Sequence, residues 1–135
     1  MAGSSGKPVV QKLGLKPGFR IFVEGAPAAY PALVGELPEG VTLAAQLRGA
    51  IDMIHVFATE ADVLARRLPA YRAAIKPDGM IWISWPKQAA GVETDLSDTV
   101  IRKLVLSLGL VDVKVCAIDA TWSGLKVVIP KAQRG

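Results

Sequence analysis

The stretch Ile75-Lys76-Pro77-Asp78-Gly79-Met80-Ile81-Trp82-Ile83-Ser84-Trp85-Pro86-Lys87 limits the fold more than any other part of the chain. Its Lys-Pro-Asp-Gly segment joins residues that end a helix and turn the backbone. From Met80 to Trp85 there is bulk at successive positions. Successive side chains of a strand point to opposite faces, so this strand carries bulk on both. Such a strand has to be covered on both sides, which helices flanking a largely parallel sheet provide. Its end, Ser84-Trp85-Pro86-Lys87, marks the rim of a core.

The composition agrees with this layering. The chain has 135 residues, 51% of them hydrophobic and 21% charged, which suits one domain with one core. No apolar run reaches the ~20 residues that a membrane helix needs. Met1 to Lys7 has no apolar segment beside it, so a secretory signal is not expected. Cys116 is the single cysteine, so no internal disulfide can form and a cytoplasmic location is expected.

Along the chain, residues 1–8 read as a disordered tail, 9–131 as the domain and 132–135 as a C-terminal tail. Val9 to Leu13 predicts a helical turn closed by Gly14, and Phe19 to Val23 a first strand. A short helix is expected from Ala28 to Val34. Val41-Thr42-Leu43-Ala44 reads as a weak edge strand or a loop, because the link to Ile51 is too short for a crossover of about a dozen residues. Ile51 to Phe57 is a second strand. Thr59 with Asp62 resembles a capping box for a helix striped by Leu64, Leu68, Tyr71 and Ile75, which Pro69 should kink or divide. Thr94 or Asp95 is expected to cap a later helix that ends at Gly109. Val111 to Ile118 and Trp122 to Ile129 predict a closing antiparallel hairpin. The expected fold class is α/β: one three-layer Rossmann-like domain with a mostly parallel sheet and a C-terminal antiparallel hairpin.

In open α/β sheets ligands bind beyond the carboxyl ends of the strands. That rule selects Glu24, Gly25, Thr59, Ser84, Trp85 and Lys87 as a common rim, with Trp122 at the base of the hairpin. Lys87 could hold a small anion, and Trp85 could wall a planar ligand or pack under the next helix. His55, the single histidine, sits within a strand among apolar neighbours and reads as a satisfied core residue rather than a base. Cys116 reads as a small strand residue. No spacing of His, Cys and acids suggests a metal. The net charge of +4 gathers at the ends: Lys7, Lys12, Lys16 and Arg20 at one, Lys126, Lys131 and Arg134 at the other. A solvated tail accounts for these cations, so nucleic acid is not the expected partner.

Three stretches resemble the Rossmann-like methyltransferases: Leu15-Lys16-Pro17-Gly18-Phe19-Arg20-Ile21, Ala74 to Ile81, and the hairpin from Leu110 to Ile129. More closely, Ser84-Trp85-Pro86-Lys87 and Val111-Asp112-Val113-Lys114-Val115-Cys116-Ala117-Ile118-Asp119, continued by Thr121-Trp122-Ser123-Gly124-Leu125, resemble a bacterial domain family of unknown function. The methyltransferase resemblance implies a truncated version of that fold. The glycine-rich loop that would follow the first strand is here Glu24-Gly25-Ala26-Pro27, with one glycine and a proline that removes a donor. The acidic residue that would end the second strand is absent from Val41 to Ala44, and a helix-strand-helix segment is missing before Ile51.

These departures favour a non-catalytic small-molecule-binding or protein-interaction module without a cofactor. Its expected partner is a small anion at the rim, a protein, or a second copy covering a sheet edge. The resemblance implies an alternative, a small enzyme of degenerate S-adenosylmethionine-dependent methyltransferase type. A weak nucleic-acid binder is a further alternative.

Overall fold

A computed structural model of the chain describes residues 8–134. In chain order it contains α1 (Val9–Leu13), β1 (Arg20–Glu24), α2 (Tyr30–Val34), β2 (Thr42–Leu43), β3 (Ile51–Phe57), α3 (Ala61–Ala74), β4 (Ile75–Pro86), α4 (Asp98–Leu106), β5 (Val111–Ala117) and β6 (Trp122–Val128). The six strands form one sheet in the order β2-β1-β3-β4-β6-β5. The first four neighbours pair in parallel, and β6 lies antiparallel between β4 and β5. This is the mostly parallel α/β sheet with a C-terminal antiparallel hairpin expected from the sequence.

The central strand is buried on both faces, as its bulk requires. Ile81 and Ile83 face a core built with α3 and α4, including Leu64, Leu68, Ile101 and Val105. Met80 and Trp82 face a second core with Leu13 and Val34 of α1 and α2. Trp82 is fully buried, and its indole Nε1–H donates to the Leu13 carbonyl at 2.9 Å. That bond satisfies the one polar atom of the ring and ties α1 to the sheet.

The Lys76-Pro77-Asp78-Gly79 segment is not a free turn outside the sheet. Ile75 already pairs with Ile51, and after a bulge Met80 pairs with Met53. The bulge is held by Asp52, whose carboxylate accepts from Lys76 Nζ at 2.9 Å and from the Arg20 backbone N–H at 2.8 Å. Glycine suits position 79, because a Cβ would lie 3.1 Å from the carbonyl oxygens of Ile51, Asp52 and Lys76, a tight approach that the backbone would have to yield to by a few tenths of an ångström.

Several local expectations are revised. Pro69 lies inside α3, which runs as one helix of 14 residues rather than two pieces. Thr59 does not cap α3: Glu60 holds the N-cap position without a side-chain bond. The cap comes from elsewhere in the chain, since the Asp95 carboxylate accepts from Ala61 N–H at 2.8 Å. Asp95 is thereby used on α3, and Ser97 caps α4 by accepting from Val100 N–H at 3.2 Å. Thr94 Oγ1 donates to the Thr59 carbonyl at 2.6 Å, fastening the two loops.

Most of the expected N-terminal tail lies outside the described residues. Pro8 accepts backbone bonds from Gln11 and Lys12 at the start of α1. In the C-terminal stretch, Lys131–Gln133 forms a 3-10 turn, and Arg134 donates back to the Ile129 carbonyl. No described helix is long and apolar enough to cross a membrane.

Candidate functional site

The parallel strands bring three carboxyl ends side by side: Glu24 is in register with Val56, and Phe57 with Ser84. Beyond β1 and β3, on the α3 side of the sheet, lies a cleft of about 360 Å³ lined by Glu24, Gly25, Thr59, Glu60, Arg67 and Tyr71, among others. That volume falls within the roughly 300–1,000 Å³ of small-ligand sites. A neighbouring cavity of about 530 Å³ shares Thr59 and Glu60 and adds Glu93, Thr94 and Asp95. The first cleft thus carries two carboxylates, Glu24 and Glu60, with the guanidinium of Arg67, and its neighbour carries Glu60, Glu93 and Asp95.

Glu24 is held in place by α3. Arg67 donates to it through Nε and Nη2, at 3.1 and 3.0 Å to Oε1 and 2.8 Å to Oε2, and the Tyr71 hydroxyl donates to Oε1 as well. Arg67 and Tyr71 are four residues apart on one helical face, so both reach the same carboxylate. Burial, and then the neighbouring Glu24, pushes the Tyr71 phenol above its ordinary range, and the bond to Glu24 raises the Arg67 guanidinium. Tyr71 therefore acts as a neutral donor, and Glu24 keeps acceptor capacity on Oε2 toward the cleft.

Gly25 holds the β1 tip against β3. It has φ +73°, and a Cβ there would lie 2.5 Å from the Phe57 carbonyl oxygen. No other residue fits without moving the strand ends.

A second polar group lies on the opposite face of the same strands. His55 Nδ1 is 2.9 Å from the Tyr30 hydroxyl and its Nε2 is 2.8 Å from Ser84 Oγ. His55 and Ser84 are fully buried. Burial pushes the imidazole down to about 3, so it is neutral at physiological pH, and burial raises the Tyr30 phenol. His55 stacks on Phe57, with ring centroids 4.4 Å apart, and Phe57 meets Trp122 edge to face at 4.9 Å. Ser84 is closed to solvent, so the arrangement is a hydrogen-bonded core element, as the strand position of His55 predicts, and not an accessible nucleophile.

Of the candidate residues, the structure gathers Glu24, Gly25 and Thr59 at one cleft. Ser84 turns inward to His55. Trp85 is buried in the α3/α4 core, with its edge on a separate cavity beside Leu96, Ser97 and Asp98. Lys87 lines neither of the two cleft cavities; its backbone N–H donates to the Thr121 carbonyl at 2.7 Å. Trp122 packs against the core on the α1/α2 side and meets Phe57 edge to face. Sequence reasoning missed Arg67, Tyr71, Glu60 and Glu93. The signal for the first two was a tyrosine within an aliphatic stripe, four residues after an arginine.

No family model matches the chain, and no curated protein matches it. Solved structures do. A SAM-dependent methyltransferase from Aquifex aeolicus superposes with a TM-score of 0.64 at 15% identity, covering 90% of this chain and 88% of that one. TrmN from Thermus thermophilus gives 0.61 at 10% identity over 90% of this chain, which spans 47% of TrmN. Magnesium protoporphyrin IX methyltransferase from Synechocystis, solved with bound SAM, gives 0.59 at 15% identity, covering 90% and 76% of the two chains. These likenesses show the methyltransferase-like fold, the coarser part of the resemblance seen in the sequence. They also overturn the expectation of no cofactor, because neighbours sharing this fold are solved with S-adenosylmethionine or its demethylated product in place.

Proposed function

We propose that the chain is a small S-adenosylmethionine-binding domain of methyltransferase type, with the cleft beyond β1 and β3 as its site. The observation that carries this reading is the pair of carboxylates in that cleft, Glu24 and Glu60, with Glu93 and Asp95 in the cavity beside it, at the strand ends of a fold shared with SAM-bound proteins. S-adenosylmethionine carries a sulfonium and an ammonium group. Glu24, Glu60, Glu93 and Asp95 suit such positive charge better than they suit a small anion.

The residues that would hold the group are Glu24, Gly25, Thr59 and Glu60. Glu24 is oriented before binding by Arg67 and Tyr71, which lowers the ordering cost of using it. Thr59 sits in a loop fixed by Thr94 and Asp95. Pro27 offers no backbone N–H, so side chains carry more of the recognition than in a glycine-rich loop. When bound, the group supplies an electrophilic methyl. The non-catalytic module read from the sequence gives way to this reading, since the cleft and the fold agree on the same strand ends.

Calorimetry of the full chain with S-adenosylmethionine and S-adenosylhomocysteine tests the assignment. Saturable binding is expected, several-fold weaker for S-adenosylmethionine in Glu60→Lys, whose side chain is exposed and makes no described bond. Absence of heat with either compound at millimolar concentration would refute it.

A further inference from the structure

The cations of the chain are not spread evenly over its surface. Lys114 on β5 lies directly opposite Lys126 on β6, and Lys126 lies opposite Trp82 on β4. These cross-strand partners share the sheet face covered by α1. At the α1 border of that face, the buried Lys12 reaches across to donate from Nζ to the Ala117 carbonyl at 2.9 Å. Lys16 follows in the exposed turn after α1. The ion pairs among the described residues are Arg66–Asp62, Arg67–Glu24, Lys76–Asp52, and Arg102 with Asp98 and Asp112. None of them uses Lys12, Lys16, Lys114 or Lys126.

Like charges directly opposite on adjacent strands destabilise a sheet. Here the pair is kept, with no carboxylate at salt-bridge distance among the described residues to offset it. Partial burial, then Lys114 and Lys16, makes Lys126 hold its proton less tightly than usual. An arrangement that costs stability in the free chain is relieved by a bound anion.

We propose that the Lys114–Lys126 face, with Lys16 at its border, binds the phosphate backbone of a nucleic acid. Lysines on a flat strand surface are separate point charges on flexible stems, not a cradle closing around one phosphate. They match a row of phosphates. A lipid surface fits less well, because membrane docking needs apolar side chains beside the cations. Among the described residues, the exposed large apolar ones are Leu43, Val63, Val92, Leu106, Val113 and Val115. Val115 pairs with Leu125, which faces the α3/α4 core, so it points away from the lysines. This site lies on the opposite face from the carboxylate cleft and does not depend on what that cleft binds.

The test is fluorescence anisotropy of the full chain with a labelled single-stranded RNA 20-mer across a salt series. Binding is expected at low salt, with log K falling as log salt rises by about 0.7 per lysine engaged. Lys114→Gln/Lys126→Gln should weaken binding several-fold and reduce the slope by about 1.4. Arg66→Gln/Lys103→Gln, on the α3/α4 side, should change neither. The double lysine variant should melt no lower than the parent, because it removes a repulsion, so lost binding cannot be put down to lost fold. Four results would overturn the proposal: no binding at low salt; full binding by the double lysine variant; binding to phosphatidylserine vesicles but not to the RNA; or displacement of the RNA by millimolar inorganic phosphate at constant ionic strength.

Discussion

Glu24–Arg67–Tyr71 and Tyr30–His55–Ser84 hang on adjacent registers of the same two strands: Glu24 pairs with Val56, and Val23 with His55. Each is a polar trio with a tyrosine hydroxyl. The first lies on the α3 side, half open to water, and carries full charges. The second lies on the α1/α2 side, with His55 and Ser84 sealed from solvent and Tyr30 half-buried at its edge, and carries none. Charge survives where solvent and a bidentate partner share the cost of holding it. In the sealed trio, desolvation forces the imidazole neutral and the network works by hydrogen bonds alone. The open trio borders the proposed ligand site, and the closed one fixes the strand tips behind it: Ala58 N–H donates to the Ser84 carbonyl at 2.9 Å.

The largest effect should come from breaking the sealed trio. Ser84→Val leaves His55 Nε2 buried without a partner, and about 1–3 kcal/mol of stability should be lost in urea unfolding. A stability change below about 0.5 kcal/mol would mean that water reaches the site, and the contrast between the trios would fail.

Acid should separate them next. His55 takes its proton at about 3 when folded and at its ordinary 6.5 when unfolded. Between those values the unfolded chain binds more protons, so stability is complete above about pH 6.5 and declines as pH falls toward 3. Urea midpoints measured from pH 7 to pH 4.5 should fall more steeply for the native chain than for His55→Gln. Equal slopes would show that the imidazole is not held neutral.

The smallest effect belongs to the open trio. Arg67→Gln removes a pair whose side chains are 41% and 34% exposed, so the loss should be about 1 kcal/mol or less and should shrink with added salt. A loss above 2 kcal/mol, unmoved by salt, would make this cluster as sealed as the other.

Much of the layout was legible in the sequence because it rests on local periodicity. Ile51–Phe57 was read to the residue, since its apolar run is bounded by turn residues on both sides. The hairpin was visible in the strict alternation from Val111 onward. The role of Asp95 was not visible, because the N–H it caps belongs to Ala61, in an element remote in sequence. Trp85 and Lys87 were drawn to the rim by their position at a strand end. Strand parity then sent Trp85 into the α3/α4 core, while pairing with β6 took the end of β4 away from the cleft.

The sequence by itself determined a sheet wrapped on both faces, its parallel strands and its antiparallel close, because burial of alternating or continuous apolar residues is a property of each segment alone. It also marked Glu24 and Gly25 at the end of the first strand. Only the tertiary structure decided that Arg67 and Tyr71 reach Glu24, that Ser84 turns to His55, and that Lys114 faces Lys126. Those depend on register between strands and on which helix face meets which strand end, and register is fixed by packing across the whole domain rather than by any one stretch.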